Sequence, residues 1–589
     1  MWPFSATNPV VSLEQAGSLQ VKQQESPVKT YDYIIVGGGT AGCCLAARLS
    51  EDSSVSVLLL ERGGVHDPWF SRIPLISSDV TSKATPIVRS PSAPIKAAES
   101  QVVDVVHAET LGGGSAVNAM LVTRGTVGDF NHWAELGHPS WDYNSLKPYF
   151  IKPEKSLSQT SDDRGYSVCP GPLVNQTFPD LPFNIQRKVR DAAITLGFAD
   201  VKDLNSPTVP VDACATLDVA VDESLRRVSS YHAFLPAQVV QDHRERLKIS
   251  TDAVATRIDF DKNVAVGVVF EPTNETRAQT FYARAKKEII VCCGALGSPH
   301  LLLLSGIGRK EDLEEHGIES VVDLLGVGAH LQDHVGLPLM YEVPLEDTLH
   351  HIENSTWKGI IEFGKYLLSR KGIVGNTVSP MSIFAHSTHF DDHTAAVISP
   401  IPSAAIGGDR PDLEIMPVPH WCSDLPYENQ KGFFSFLLCI VQPRSVGSVR
   451  LASRDSHARP SVDLGFLSNP EDFVTFRRGV TLCLRLAEEV HQGYHMKDFQ
   501  VPLSEKGSDM DQFIRATIRT CYHYASSLAG WHVYGVRGLR VYDASVFPCI
   551  TSGHTMAPVI VVAERCANLI KKIAVDNISV VREHIRRLL

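Results

Sequence analysis

Short apolar runs alternate with glycine turns and Ala-rich segments in the first 65 residues of the chain. Tyr33 to Gly37 is an apolar run that ends in glycines, which is typical of a buried strand. The segment from Ala41 to Leu49, rich in Ala and Leu, predicts a helix, and Val55 to Leu60 predicts a second apolar strand. The pattern therefore predicts a strand–turn–helix–strand unit.

The same order of strand, glycine turn and helix returns at residues 287–308, in KEIIVCCGALGSPHLLLLSGIG. Residues 247–271 predict successive strands, and a helix is predicted to begin near Ser115. Between residues 341 and 510, short alternating strands such as FFSFLLCIV accompany a helix around Trp357 to Leu368. This second region favours an antiparallel sheet with helices on it.

These patterns divide the chain into predicted domains. Residues 1–29 predict a flexible polar leader, and the Pro- and Ser-rich residues 65–105 predict a lid or cofactor cover. The predicted cofactor-binding domain is discontinuous and comprises residues 30–64, 106–150, 216–340 and 511–589. The predicted substrate-binding domain comprises residues 151–215 and 341–510.

Three glycines after the first predicted strand carry the first chemical signal. Gly37, Gly39 and Gly42 have the G-x-G-x-x-G spacing, and Glu61 ends the second strand nineteen residues later. The first glycine allows a tight turn, the second admits a pyrophosphate to the backbone, and the third lets helix pack on strand. The helix N-terminus favours the phosphates, and Glu61 can accept hydrogen bonds from a ribose. An acid at position 61 favours FAD or NAD over NADP, and this local pattern leaves FAD and NAD open.

Composition and charge narrow the class of protein. With 589 residues the chain is long enough for two or more domains. The net charge of −11 gives no reason to expect binding to nucleic acid or to an anionic membrane. No apolar run predicts a membrane-spanning helix, and the absence of a signal-like N-terminus favours a cytoplasmic protein. The twelve cysteines are predicted to be small core residues, without a disulfide framework or metal site.

Six motifs in one order resemble the glucose–methanol–choline (GMC) oxidoreductases from about residue 30 to 575. They are the N-terminal βαβ unit, LGGGSAVNAMLVTRG with NHWAELG, GALGSPHLLLLSGIG, GVGAHLQDHVG, PRSVGSVRL, and LRVYDASVFPCITSGHTMAPVIVVAERCANLI. The resemblance implies an α/β (α+β) flavoprotein with a Rossmann-like FAD-binding domain. It also implies a p-hydroxybenzoate-hydroxylase-like substrate domain that carries an antiparallel sheet.

The resemblance also implies which residues hold FAD. Thr40 and Ala41 would meet the pyrophosphate, Glu61 and Arg62 the adenosine ribose, and Val254 the adenine through its backbone. Val117 stands where some relatives attach FAD through a histidine, so the predicted cofactor is non-covalent FAD. The remaining predicted contacts, along the diphosphate–isoalloxazine side and at the flavin ring, are Asn118, Ala119, Met120, Leu121, Ala544, Thr555 and Met556.

Two histidines match the family's catalytic positions, His523 in TCYHYASS and His554 in TSGHTMAP. Removing the hydroxyl proton of an alcohol during hydride transfer to flavin requires a base, and imidazole has a suitable pKa. We predict that His523 is the base and His554 its partner, although the two roles could be exchanged. His334 is expected to be a structural contact, and neither His107 nor His532 is assigned a catalytic role.

The predicted function is FAD-dependent oxidation of an alcohol, with oxygen or another electron acceptor and a small-molecule alcohol as partners. A role in secondary metabolism is inferred by analogy alone. The loop at 524–531 is shorter than in relatives, which leaves a non-redox lyase or cyclase with structural FAD as the alternative. A non-catalytic flavin-binding protein is the second alternative.

Overall fold

The computed structural model describes most of the chain. The described residues are 10–20, 27–79, 85–158, 171–178, 180–274, 279–391, 396–397, 410–423, 427, 430–504, 507–528 and 533–588, with side chains described as far as residue 572. Among them, no helix is both long and apolar enough to cross a membrane.

An eight-stranded mixed sheet, called here the first sheet, holds the N-terminal unit. Its parallel part places Thr30–Val36 between Val57–Leu60 and Phe281–Val291, in line with the predicted strands. The segment predicted as a leader contributes to it, because Ser18 and Leu19 pair with the strand Phe281–Val291. The eight strands are Ser18–Leu19, Thr30–Val36, Val57–Leu60, Leu247–Ser250, Ala253–Asp261, Val264–Pro272, Phe281–Val291 and Leu539–Val541.

Helices pack against the first sheet and against one another. Thr40–Leu49 follows the glycine turn and buries nearly all of its residues, as expected of an Ala- and Leu-rich segment beside a parallel sheet. The helix that starts at Met556 packs against it. The helix Gly294–Leu304 follows the strand Phe281–Val291, so the second predicted strand–turn–helix unit is also present.

The second sheet also has eight strands, and all its pairings are antiparallel except that of Ala199–Val201 with Ala213–Thr216. It confirms the antiparallel sheet predicted for the later part of the chain. The helix Pro470–His491 packs on it through an apolar face. Its strands are Ala199–Val201, Ala213–Thr216, Val335–Val343, Met381–Ala385, Leu413–Val418, Gly432–Ile440, Lys497–Gln500 and Arg519–Thr520.

Smaller elements complete the described chain. The further strands are Leu121–Val122, Glu154–Ser156, Leu173–Thr177 and Asp218–Val219 in one sheet, with the pairs Ile87–Pro91 and Asp104–Ala108, Ile307–Gly308 and Val322–Asp323, and Ser448–Arg450 and Ser461–Asp463. The further α-helices are Leu13–Ala16, Pro74–Ser77, Val127–Glu135, Tyr143–Ile151, Asn184–Thr195, Ser230–Phe234, Ala237–Asp242, Lys310–Glu315, His350–Glu353, Thr356–Ser369 and Ser508–Thr517. The long helix that begins at Met556 extends to Leu588.

The prediction of a helix that begins near Ser115 was wrong. The segment is a single 3-10 turn, Gly113–Ala116, followed by the strand Leu121–Val122. Met120 has a φ of +63°, which a continuing α-helix does not allow. The side chain of Asn118 accepts a hydrogen bond from the backbone N–H of Met120 at 3.0 Å, so the segment forms a local turn instead.

Candidate active site

A cavity of about 1080 Å³ lies between the two sheets. The first sheet contributes Val36, Leu60 and Val254 to its wall, and the second contributes Met416 and Leu437. The volume slightly exceeds the range of about 300–1,000 Å³ that ordinary small-molecule pockets enclose. The cavity therefore has room for an extended ligand together with a smaller one.

Nearly all the predicted site residues line this cavity. They are Gly37, Gly39, Thr40, Ala41, Glu61, Arg62, Asn118, Ala119, Leu121, Val254, His523, Ala544, His554, Thr555 and Met556. Gly42 and Met120 do not line it. A Cβ at Gly42 would lie only 1.8 Å from the carbonyl oxygen of Gly37, so this glycine allows the helix to pack on the turn. Met120 is buried in the core behind its cavity-lining neighbours.

The glycine turn suits a dinucleotide pyrophosphate. The ten-residue helix Thr40–Leu49 has Gly39 as its N-cap, and no side chain caps its first turn. The backbone N–H groups of that turn can therefore donate to an anion, which the helix dipole also favours. A Cβ on Gly113 would come within 2.8 Å of the Cα of Gly39, so two bare backbones face each other here. The residues present fit the phosphate part of a dinucleotide cofactor.

Glu61 lies where the sequence predicted a ribose contact. Its side chain accepts hydrogen bonds from the backbone N–H groups of Gly38 at 2.6 Å and Gly63 at 2.8 Å. Burial raises the pKa of its carboxyl group to about 7, although both hydrogen bonds act in the opposite direction. Each carboxylate oxygen has a second lone pair, so these hydrogen bonds leave capacity for the hydroxyls of a ribose. Arg62 beside it forms an ion pair with Glu109 at 2.9 Å.

A buried arginine that the sequence did not single out holds the 115–118 turn. Arg227 donates to the backbone carbonyl oxygens of Ser115 at 3.2 Å and Asn118 at 2.5 Å, and to the side-chain oxygen of Asn118 at 2.8 Å. It also donates to the hydroxyl of Ser77. Arg227 therefore fixes the part of the cavity wall that Asn118 forms.

The two predicted catalytic histidines meet at the cavity. The ring centroids of His523 and His554 lie 5.1 Å apart, and the rings are nearly perpendicular at 83°. The backbone N–H of His523 donates to Asp333 at 2.8 Å, and that of His554 donates to the hydroxyl of Thr123 at 2.7 Å. The main chain at both rings is thus anchored by hydrogen bonds.

His334 lies directly behind His523. The Nδ1 atoms of the two rings are 2.9 Å apart, and Nε2 of His334 lies 3.0 Å from the carbonyl oxygen of Thr551. A carbonyl oxygen can only accept, so the hydrogen-bond network assigns the proton of His334 to Nε2. Its Nδ1 then accepts from Nδ1–H of His523. A neutral His523 consequently keeps a lone pair on Nε2.

Burial keeps these two rings neutral. It lowers the pKa of His523 to about 3, with a further contribution from the positive charge that His554 can carry. Burial, together with the neighbouring His523 and His554, lowers the pKa of His334 well below its ordinary value. His523 therefore combines a neutral ring with an unprotonated Nε2, which is what a proton acceptor requires.

Glu414 pairs with the second histidine. Its Oε1 lies 3.1 Å from Nε2 of His554 and accepts from the hydroxyl of Ser382 at 2.8 Å. Burial alone would raise the pKa of Glu414, but the positive charge of His554 and the two hydrogen bonds lower it below the ordinary value. His554 thus faces a carboxylate at Nε2, whereas His523 faces the neutral ring of His334 at Nδ1.

Sequence reasoning missed several of these partners. His334 was expected to be a structural contact, and the structure places it in the hydrogen-bond chain behind His523. Glu414 was overlooked, although a single acid in the apolar strand LEIMPV is a usable signal. His107 lies beside the cavity ion pairs, with Nε2 3.1 Å from Arg459. His532 and residues 529–531 of the shortened loop lie outside the described residues.

A potential metal-ligand cluster lies at the outer part of the cavity wall. The ligand atoms of His350, Glu353 and His420 all lie within 4.8 Å of one another. The two imidazole rings are stacked, however, with centroids 4.6 Å apart and planes 10° apart. Lone pairs of imidazole nitrogens lie in the ring plane, so parallel rings cannot both direct them at one ion. This arrangement gives no support for a metal centre.

The sheet order, the glycine turn and the imidazole pair define a two-domain dinucleotide-binding protein with groups for proton transfer. Family models for GMC oxidoreductase match residues 31–336 and 443–563. The chain belongs to the GMC oxidoreductase family, and FAD is the cofactor that this membership supports.

Individual relatives agree over nearly the whole chain. Dehydrogenase pkfF of Emericella nidulans is 30% identical over 592 residues, with 92% of this chain and 93% of the relative covered. The oxygen-dependent choline dehydrogenase of Vibrio vulnificus is also 30% identical, with 92% and 94% covered. A formate oxidase structure from Aspergillus oryzae RIB40 matches with a TM-score of 0.81 at 23% identity, covering 93% of this chain and 99% of that one, which shows a shared fold.

Proposed function

We propose that the protein oxidises the CH–OH group of a small-molecule alcohol to a carbonyl, with FAD as the hydride acceptor. The observation that carries the proposal is the hydrogen-bond chain from Thr551 through His334 to His523. It leaves an acceptor nitrogen on a neutral imidazole at a cavity that also contains a dinucleotide cradle. Alcohol oxidation requires both the acceptor nitrogen and the bound dinucleotide, because the hydroxyl proton and the hydride are transferred to different acceptors.

The lining of the cavity supports the residues predicted to hold FAD. The first turn of Thr40–Leu49 would donate to the pyrophosphate, and Glu61 would accept from the adenosine ribose. Asn118, fixed by Arg227, would line the path to the flavin ring, which would approach Ala544 and Met556. FAD, when bound, supplies the acceptor for the hydride. Val117 lines the cavity where a covalent link would need a nucleophile, which supports dissociable FAD.

The proton chemistry belongs to the two histidines. His523 would accept the hydroxyl proton at Nε2, while His334 holds its ring through Nδ1. His554, paired with Glu414, would stabilise the negative charge that develops on the substrate oxygen.

The first test is anaerobic mixing of the FAD-loaded protein with primary, benzylic and allylic alcohols while the oxidised-flavin absorbance is followed. We expect at least one alcohol to bleach the flavin. The variant His523→Ala should slow bleaching by about 10²–10⁴-fold, because a positioned general base contributes that much. The variant His495→Ala makes the same chemical change at an exposed position and should react like the parent.

Readmitting oxygen after bleaching distinguishes an oxidase from a dehydrogenase that needs another acceptor. Undiminished bleaching in His523→Ala would contradict the assignment of the base. Conversion of a substrate with no change in the flavin spectrum would instead support a non-redox lyase or cyclase. A role in secondary metabolism and a cytoplasmic location stay predictions.

A further inference from the structure

Two cysteine thiols touch beside the candidate active site. The Sγ atoms of Cys439 and Cys521 lie 3.2 Å apart. Cys439 belongs to the strand Gly432–Ile440 and is 1% exposed, whereas Cys521 is half-buried and lines the cavity. Cys521 stands two residues before His523. The contact therefore joins the core of the second sheet to the segment that carries the proposed base.

A glycine between the two cysteines makes the contact possible. Gly336 pairs with Cys439 on one side and with Arg519 on the other, so it lies between the two cysteine-bearing segments. A Cβ at Gly336 would come within 2.8 Å of the Sγ of Cys521. Because glycine has no side chain, the two thiols meet above its Cα. Any larger residue at this position would separate them.

The two thiols are close enough to bond after a small movement, and they differ in access. A disulfide requires a separation of about 2.05 Å, so roughly 1 Å of approach is needed. Only Cys521 lines the cavity from which a small oxidant can enter. The hydrogen bond with Cys521, followed by burial, raises the pKa of Cys439 well above its ordinary value. Cys521 is therefore the attacking thiol and Cys439 the resolving thiol.

We propose that Cys439 and Cys521 form a site of reversible thiol oxidation whose co-reactant is a hydroperoxide. The thiolate of Cys521 attacks the O–O bond, which gives a sulfenic acid and releases an alcohol or, from hydrogen peroxide, water after protonation. The thiol of Cys439 then attacks the sulfenic sulfur, a disulfide forms and water leaves. The two thiols lose two electrons, and the peroxide bond gains them.

Closing the disulfide alters the active site because both ends of the bond adjoin it. Cys439 pairs across the sheet with Glu414, the partner of His554. The backbone N–H of Cys521 donates to the carbonyl of His334 at 3.1 Å, and His334 holds His523. Drawing Cys521 towards Cys439 displaces the segment leading to His523. A misplacement of about 1 Å can lower a rate by about 10²-fold.

The test treats the reduced, FAD-loaded protein with hydrogen peroxide, blocks the remaining thiols with an alkylating agent and maps peptides without reduction. We expect a peptide pair cross-linked through Cys439 and Cys521. Flavin reduction by alcohol should fall by about 10²-fold and recover with dithiothreitol. The variant Cys439→Ser should give no cross-link and retain its flavin reduction rate after mild treatment. The variant Cys483→Ser changes a buried cysteine of the helix Pro470–His491 and should behave like the parent.

Peptide mapping detects the cross-link whether or not the protein oxidises an alcohol. Only the predicted loss of flavin reduction rests on the proposed function. A cross-link in a protein that oxidises no alcohol would support the thiol site and refute the function. A cross-link from Cys521 to Cys422, which lies in the same apolar cluster, would overturn the assignment of the pair. Equal peroxide inactivation of the parent and Cys439→Ser, without a cross-link, would also overturn it.

Discussion

The hydrogen bonds of three imidazole rings distinguish the proposed roles of His523 and His554. The carbonyl of Thr551 determines the tautomer of His334, and His334 in turn determines which nitrogen of His523 keeps its lone pair. Glu414 gives His554 a donor role through Nε2. In the proposed reaction one ring would therefore accept a proton and the other would stabilise negative charge, although both are the same residue type.

We predict that His334 acts as a positioning residue. In His334→Leu the Nδ1–H of His523 loses its acceptor, so the ring can turn and change tautomer. Alcohol-dependent flavin reduction should slow by about 10²-fold while the FAD content stays constant. His334→Asn keeps a side-chain acceptor and should recover part of the rate. An unchanged rate in His334→Leu, measured by anaerobic rapid mixing, would contradict the tautomer chain.

The sequence predicted the two histidines of the proposed reaction better than the residues that position them. His523 and His554 followed from family motifs, but Glu414 lies 140 positions from His554 and His334 lies 189 positions from His523. Those contacts join segments that are distant along the chain, which no local spacing encodes. Arg227 was missed for the same reason, because its guanidinium reaches a turn more than a hundred residues away.

Among the elements, the N-terminal unit followed its hydrophobic pattern closely. The predicted helix of residues 41–49 and the predicted strand of residues 33–37 differ from the observed Thr40–Leu49 and Thr30–Val36 only at their ends. The helix predicted near Ser115 failed because a turn stabilised by Asn118 and Arg227 competes with helix formation there. Tertiary contacts determine the conformation of such glycine-rich segments, whereas apolar periodicity predicts the secondary structure of the core elements.

The packing of the helix Thr40–Leu49 on the glycine turn gives a prediction for a matched pair of helical glycines. In Gly42→Ala the new Cβ would meet the carbonyl oxygen of Gly37 at 1.8 Å, so helix and turn must separate. Overpacking costs about 1–3 kcal/mol, so both the melting temperature and the FAD content should fall. Gly364→Ala, in Thr356–Ser369, meets nothing within 4 Å and should be neutral or slightly stabilising. Equal behaviour of the two variants would contradict the packing role.

At the scale of the whole molecule, the cavity couples the two sheets. Its wall draws residues from both, so a bound dinucleotide stabilises the arrangement in which they lie together. A ligand that binds only the folded state adds about 2.7 kcal/mol at a concentration of 100 Kd. The stability of the protein should consequently depend on its FAD occupancy.

We predict that FAD can be removed and restored. Acid or heat denaturation should release FAD into a filtrate and leave no flavin fluorescence on the denatured polypeptide, since Val117 offers no atom for a covalent link. Removing FAD without denaturation should lower the melting temperature, and adding it back should restore both the melting temperature and the absorbance. Flavin retained by the denatured chain would contradict non-covalent binding.

The strand order of the first sheet also determines when, during biosynthesis, the protein can complete its core. Thr30–Val36 pairs with Phe281–Val291, and the neighbouring strand Leu539–Val541 follows some 500 residues after the first of these. At about 5–20 residues per second, a ribosome needs on the order of 25–100 s to supply it. During that time an apolar strand edge of the first sheet lacks its partner. The helix Thr40–Leu49 likewise lacks the helix from Met556 that packs against it. The nascent chain therefore exposes apolar surface until residue 541 has been made, and the histidine pair is complete only after residue 554.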